Sequence, residues 1–236
     1  MPEKRFRKLK EKQTVGVPLF TPVYKNEHFC IIDKDHGVSF HSTGLTQKVR
    51  EWTESEKLYP VHRLDTMTSG LLLFALHKES AAILASQFRK KTIKKMYLAI
   101  GGNQPKKKQG VISGDMQKRR NGKWILLKTQ NNPAFTRFFS TSLLPKFRLY
   151  LILPQTGKTH QIRVALKSIR APIYGDSLYG KMDSEADRGY LHSYALSFRL
   201  KEREYSFKQQ PRTGALFTNH QISGAITLLE EKALGY

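Results

Sequence analysis

The sequence predicts an α+β domain, and three observations predict it. Strand-like apolar runs and helical patterns are mixed along the chain without the regular strand–helix–strand rhythm of a doubly wound sheet. At 236 residues the chain can bury one core of ordinary size. No internal repeat or long low-complexity segment interrupts it, so residues 17–236 read as one domain behind a basic arm of residues 1–16.

The elements follow in chain order. The first twelve residues carry six basic side chains, either a phosphate-touching arm or plain disorder. "HFCIIDKDHGVSFH" (28–41) reads as a buried strand, a polar turn at Asp33–Gly37 and a second short strand. Asp65 lies on a loop directly before the strand Gly70–Leu76. Residues 78–90 put Ala81, Leu84 and Phe88 at helical spacing. The strand over 95–101 carries Tyr97, and residues 102–123, rich in Gly, Lys and Arg, read as basic hairpin loops that are either solvated or in contact with RNA. "PAFTRFF" and "RLYLIL" are strand-like. In "THQIRVALKSI" (159–169), Ile162, Ala165, Leu166 and Ile169 fall at i, i+3, i+4 and i+7, an amphipathic helix with Thr159 as its N-cap. His160, Arg163 and Lys167 line another face. A turn over 171–180 leads to a strand at 191–198.

Lys plus Arg number 41 against 19 Asp plus Glu, a formal net charge of +22. A hydrated surface accounts for some of that surplus, but an imbalance this large points to a polyanionic partner, nucleic acid ahead of an anionic membrane surface. No apolar run approaches the ~20 residues of a membrane span, and "MPEKRFRKLKEK" holds no signal-type stretch. The only cysteine, Cys30 in "FCII", reads as a core residue. No disulfide framework is available, and the expected location is the cytoplasm.

The same residues exclude several chemistries. The eight histidines are scattered and one cysteine cannot build a zinc site, so no metal is expected. No phosphate-cradling glycine loop is present; "TGKT" at 156–159 lacks the upstream glycine and reads as a helix N-terminus. Two-metal nucleases want clustered carboxylates, and a glycosidase wants two; the nearest second candidate to Asp65 is Asp176 in "YGDSLYG". A lone carboxylate in a basic chain suits a reaction whose leaving group is never given to water. As a bare loop aspartate, Asp65 also fits a turn or helix cap.

Residues 62–75, "HRLDTMTSGLLLFA", resemble the signature of RluA-type pseudouridine synthases, H-R-L-D-x-x-T-S-G followed by an apolar strand. "KKMYLAIGG", "AFTRF", "GKTHQIRVAL", "PIYGDSLYG" and "LHSYALSF" resemble further blocks in the family's order, over roughly residues 29–200. The sequence departs at "KDHG", where Asp35 replaces the usual proline, at Lys158 for arginine, at Ala165 for histidine, and at "SFRL", which lacks a closing histidine–proline. Fewer than 20 residues precede the first block, too few for an S4-type RNA-binding domain.

The resemblance implies the pseudouridine synthase fold, a mixed and largely antiparallel sheet in two halves around a central basic cleft. It implies isomerisation of uridine to pseudouridine in structured RNA, ribosomal or transfer RNA, with no cofactor and no obligate protein partner, by a monomer. Asp65 matches the catalytic aspartate, as nucleophile or as electrostatic support. Arg163 matches the arginine that keeps that aspartate ionised, since an opposite charge within ~4–6 Å favours the charged form. Tyr97 matches the tyrosine that stacks on uracil or moves a proton. Substrate binding falls to Arg63, which fills the vacated base stack, and to His62, Thr68, Lys158, His160 and Gln161. By their own chemistry His62 and His192 fit structural hydrogen bonding better than catalysis. The alternatives are an RNA-binding or RNA-folding module of the same fold, and an RNA N-glycosidase or nuclease.

Overall fold

Every residue of the strand Ser69–Ala75 is buried, which requires cover on both faces of the sheet it joins. In this computed structural model, which describes residues 18–180 and 184–235, the cover is two separate apolar clusters. Side chains alternate along a strand, so Leu72 and Phe74 enter one cluster, and Leu71, Leu73 and Ala75 the other. The neighbouring strand splits the same way, Cys30 and Ile32 against Phe29 and Ile31. Burying each such leucine contributes roughly 2 kcal/mol.

The elements run β1 (Phe20–Lys25), β2 (Phe29–Lys34), α1 (Thr43–Thr53), β3 (Tyr59–Pro60), β4 (Ser69–Ala75), α2 (Lys78–Lys90), β5 (Lys94–Gly102), β6 (Gly110–Gly114), β7 (Met116–Lys118), β8 (Trp124–Leu126), β9 (Ala134–Leu144), β10 (Phe147–Pro154), α3 (Gln161–Ser168), β11 (Leu191–Leu200), β12 (Arg203–Lys208) and α4 (Ile222–Leu234). Ten strands form one sheet, ordered β1-β2-β4-β11-β5-β10-β9-β6, with β12 on β11 and β3 on β4; β7 and β8 form a separate hairpin. The expected α+β architecture holds. Among the described strands, β4 and β11 make the single parallel pair, joining two antiparallel halves through His192 opposite Ser69 and Ser193 opposite Gly70. At Gly70 (φ +104°) a Cβ would sit 2.3 Å from the Ser193 carbonyl oxygen, so only glycine lets the halves close. Among the described residues no helix is long and apolar enough to cross a membrane.

The structure differs from the sequence expectations in three places. No second strand follows the turn at 33–37; Lys34 Nζ donates to the carbonyls of Asp35 and Val38, both at 2.9 Å, and curls that segment back. Thr159 does not cap α3: His160 occupies the cap in a left-handed conformation (φ 56°), and Gln161 Oε1 accepts the Lys158 N–H instead. Helices α1 and α4 lie in segments to which the sequence reading assigns no element. The basic arm of residues 1–16 lies outside the described residues.

Two histidines, His192 buried and His62 half-buried, brace the seam. His62 Nε2 accepts the Leu73 N–H at 2.9 Å, and His192 bridges Ser69 Oγ (2.8 Å) and the Gln209 carbonyl (2.7 Å). Burial pushes both imidazoles down to about 3. The unfolded chain therefore takes up two more protons than the folded one below the ordinary histidine range. The stability from these two sites is complete above about pH 6.5 and is lost as pH falls toward 3. Thermal melts should show Tm falling from pH 6.5 to 4, with a limiting slope of about 2.7 kcal/mol per pH unit for the pair. A flat profile over that window would mean that the rings are already charged in the native state.

Candidate active site

Asp65 is presented by the loop between β3 and β4, and the Thr68 N–H donates to its carbonyl at 3.0 Å to close the turn. Its carboxylate Oδ2 lies 3.2 Å from Arg163 Nη1, across 98 residues of sequence. Arg163 reaches there because α3 buries its other face in the core with Ile162, Ala165 and Leu166. The guanidinium does not rely on Asp65 alone. Its Nε and Nη2 donate to the two oxygens of Asp176 at 2.8 Å each, a bidentate geometry that fixes the plane. Asp176, 1 % exposed, also accepts the N–H groups of Leu178 and Tyr179. Burial works against the charge on Arg163, and its bonds to Asp176 and Asp65 outweigh that and hold its pKa upward. Asp176 is thus the arginine's anchor, leaving Nη1 for Asp65.

Tyr97 stands on β5 opposite Ser193 of β11, at the same seam that Gly70 closes. Burial drives its phenol up to about 12; a hydrogen bond with Ser193 opposes the shift and the charge of Asp65 adds to it. Asp65, Tyr97 and Arg163 line one cleft of about 380 Å³, within the range of small-molecule sites. Its apolar wall includes Val61, Leu64, Phe88 and Ile162.

Arg63, His62, Thr68, Lys158, His160 and Gln161 line the same cleft, with differing freedom. Arg63 is exposed. His62 has its Nε2 committed to β4 and its ring stacked on Phe88. The amide of Gln161 is fully used: its oxygen accepts from Thr156 and Lys158, and its nitrogen donates to Phe135 and Thr136. Lys158 Nζ bonds the Asn132 carbonyl. His160 Nδ1 meets the Tyr179 hydroxyl at 2.9 Å. At position 35, the Asp35 N–H donates to the Leu19 carbonyl at 3.0 Å, a bond that proline could not make.

Three contributors escaped the sequence reading. Lys95, two residues from Tyr97, lines the cleft with Nζ 3.3 Å from the Thr156 carbonyl, and burial lowers its pKa. Its alternation with Tyr97 on one strand face was the available signal. The Tyr179 ring lies under Arg163 at 5.0 Å, and its hydroxyl accepts the Trp124 N–H at 2.8 Å, tying the β7–β8 hairpin to the site. Ser193 was visible only as one letter of a strand.

The family description "RNA pseudouridylate synthase" matches residues 25–168, more than half of the chain. The chain belongs to that family. Its members are isomerases. An RNA pseudouridine synthase of Haemophilus influenzae, described as uncharacterized, is 51 % identical over 180 residues, covering 75 % of this chain and 80 % of its own. Ribosomal large subunit pseudouridine synthase C of Buchnera aphidicola is 35 % identical over 195 residues, covering 75 % of this chain and 62 % of its own. The chain thus spans about three fifths of that longer relative. Among solved structures, human RNA pseudouridylate synthase domain containing 1 superposes with a TM-score of 0.70 at 23 % identity, over 80 % of this chain and 82 % of that one. That likeness bears out the fold: a largely antiparallel pseudouridine synthase sheet in two halves.

Proposed function

We propose that this pseudouridine synthase isomerises uridine within structured RNA, ribosomal RNA before transfer RNA, and that Asp65 is its catalytic carboxylate. The observation that carries the reading is the pairing of Asp65 with an arginine already fixed by a second, fully buried carboxylate, with a neutral phenol in the same cleft. The similarity to a relative named for the ribosomal large subunit favours ribosomal RNA and is consistent with work in the cytoplasm. Asp65, Arg163 and Tyr97 all come from one chain, so a monomer suffices.

The reaction is balanced without a co-reactant. The uridine leaves its stack, at a cost of a few kcal/mol, and the exposed Arg63 guanidinium takes up the vacated space. The N1–C1′ bond breaks with its electron pair on uracil, and Asp65 either bonds C1′ or stabilises the sugar's developing charge. The base turns, the C5–C1′ bond forms and any Asp65 ester is released. C5 then loses a proton and N1 gains one. A phenol held near 12 is a neutral carrier for such an exchange, since it can accept one proton while giving another and need not ionise first.

The test is mass-neutral conversion of uridine in ribosomal RNA from cells lacking the protein, read by carbodiimide labelling. Free uracil or strand cleavage would point to an N-glycosidase or nuclease, and tight binding without conversion to an RNA-folding module.

Binding should also weaken steeply with salt, by ~0.7 in log–log slope per phosphate contact on single-stranded segments. The exposed Lys118, Arg119 and Arg120 sit on the hairpin anchored through Trp124 to Tyr179. Lys106, Lys107 and Lys108 instead leave β5 beyond Gly102, about 23 Å along the strand from Lys95 at 3.3 Å per residue. Replacing the three hairpin cations with glutamine should flatten the slope by about 2, and replacing the three lysines should flatten it less. The reverse order would remove the hairpin from the RNA path.

A further inference from the structure

The cleft holding Tyr97 ends at Asp65, and a second hollow of about 410 Å³ begins there. The two share Arg63, Leu64, Asp65, His160 and Arg163, so they are neighbouring compartments on either side of the carboxylate. The walls of the second are its own. Phe40 lines it, half-buried and backed by Phe74 in a near-parallel stack (6.3 Å, 8°), with the His41 ring edge-on at 5.3 Å. His36, Ser39 and Ser177 add polar groups. Glycines keep it open: a Cβ on Gly189 would meet Met67 Cε at 2.5 Å, and one on Gly175 (φ +73°) the Arg188 carbonyl oxygen at 1.9 Å. The Gly37 N–H donates to the Thr66 carbonyl at 2.8 Å, tying this wall to the turn that carries Asp65.

The substrate is a polymer, so the residues flanking a reacting nucleotide are held within one phosphate of it. With the target base in the Tyr97 cleft, the strand continues over Arg63 and His160, whose side chains border both hollows. Among the described residues Asp65 is the sole acidic one lining the second hollow, while Arg63, Arg163 and three histidines surround it. That balance accepts a phosphodiester, and an aromatic ring beside hydroxyls and imidazoles accepts a base. Burial, then Arg188, lowers the His36 pKa, leaving a neutral ring with one donor and one acceptor for a base edge.

We propose that this hollow is a second nucleotide subsite, which takes the RNA nucleotide adjoining the target uridine with its base against Phe40. The proposal rests on the pseudouridine synthase reading above. It makes the loop of residues 36–41 a determinant of which uridines are modified.

The test uses a synthetic RNA hairpin copied from around a uridine mapped in ribosomal RNA, with the base removed from either the 5′ or the 3′ neighbour. With the unaltered protein, base removal on one side should lower kcat/KM about tenfold, in the lower part of the range for base–aromatic stacking. With Phe40→Leu, which keeps apolar volume but has no ring, the same removal should change kcat/KM less than about twofold. The exposed Ser177→Trp, filling the hollow from outside the core, should slow the intact RNA about tenfold and leave the RNA lacking that base unaffected. Equal losses in all three proteins on both sides would overturn the subsite while leaving the activity standing. Failure of the unaltered protein to convert any uridine would overturn the pseudouridine synthase reading, and the subsite with it.

Discussion

Asp65→Asn is expected to reduce pseudouridine formation by about 10⁴-fold or more, the scale seen when a nucleophile is removed from an otherwise intact site. RNA affinity should stay within a few-fold. The substitution is isosteric, so the cleft keeps its shape. Arg163 also keeps both hydrogen bonds to Asp176, so the arginine is not left as an unpaired buried charge. What is lost is the negative charge of the carboxylate whose Oδ2 lies 3.2 Å from Arg163 Nη1. An amide neither attacks C1′ nor balances positive charge on the sugar. Single-turnover carbodiimide mapping measures the loss, and an unchanged Tm separates it from misfolding. Substantial residual pseudouridine would reject Asp65 as the catalytic carboxylate.

Tyr97→Phe is expected to bind RNA normally and turn over ~10²–10⁴-fold more slowly, the usual range for a lost acid–base group. Phenylalanine keeps the aromatic face, worth ~1–3 kcal/mol per base on single-strand platforms, and Tyr97→Leu should therefore bind less well than Tyr97→Phe. In the proposed reaction the hydroxyl carries the exchange between C5 and N1. With the phenol raised to about 12 by burial, its protonated form persists through neutral and mildly alkaline solution. The wild-type rate should accordingly show no alkaline fall from this group between about pH 7 and 10. A Tyr97→Phe variant at full rate would leave only the stacking role.

Much of the fold was legible because short-range pattern reports local structure. Leu84 and Phe88 face inward from α2 as their spacing indicates, and the apolar run in "SGLLLFA" is a strand covered on both faces. The segment after the turn at 33–37 misled because Val38 and Phe40 alternate as strand residues do, while buried Lys34 captures the carbonyls that a strand would have offered to a neighbour. Helix α1 went unread, its buried positions being Leu45, Val49 and the polar Thr53. A stripe so thin becomes a helix through packing rather than through periodicity. Gln161 shows the converse: a motif letter suggests a substrate contact, while its amide is spent holding the turn before α3.

By itself the sequence determined the family, a basic chain suited to RNA, and the three side chains on which the chemistry is proposed to rest, since each lies within a short motif whose spacing is local. Only the tertiary structure decided how they meet. Asp176, weighed in the sequence as a possible second acid, became the anchor of Arg163, because a carboxylate buried to 1 % exposure is tolerated only when paired and hydrogen-bonded. The contact between Asp65 and Arg163 spans 98 residues, and the parallel seam at Gly70 and Ser193 that sets Tyr97 beside them spans 123. Such juxtapositions depend on which faces of distant elements pack together, and that choice belongs to the burial of the whole sheet rather than to any stretch of its letters.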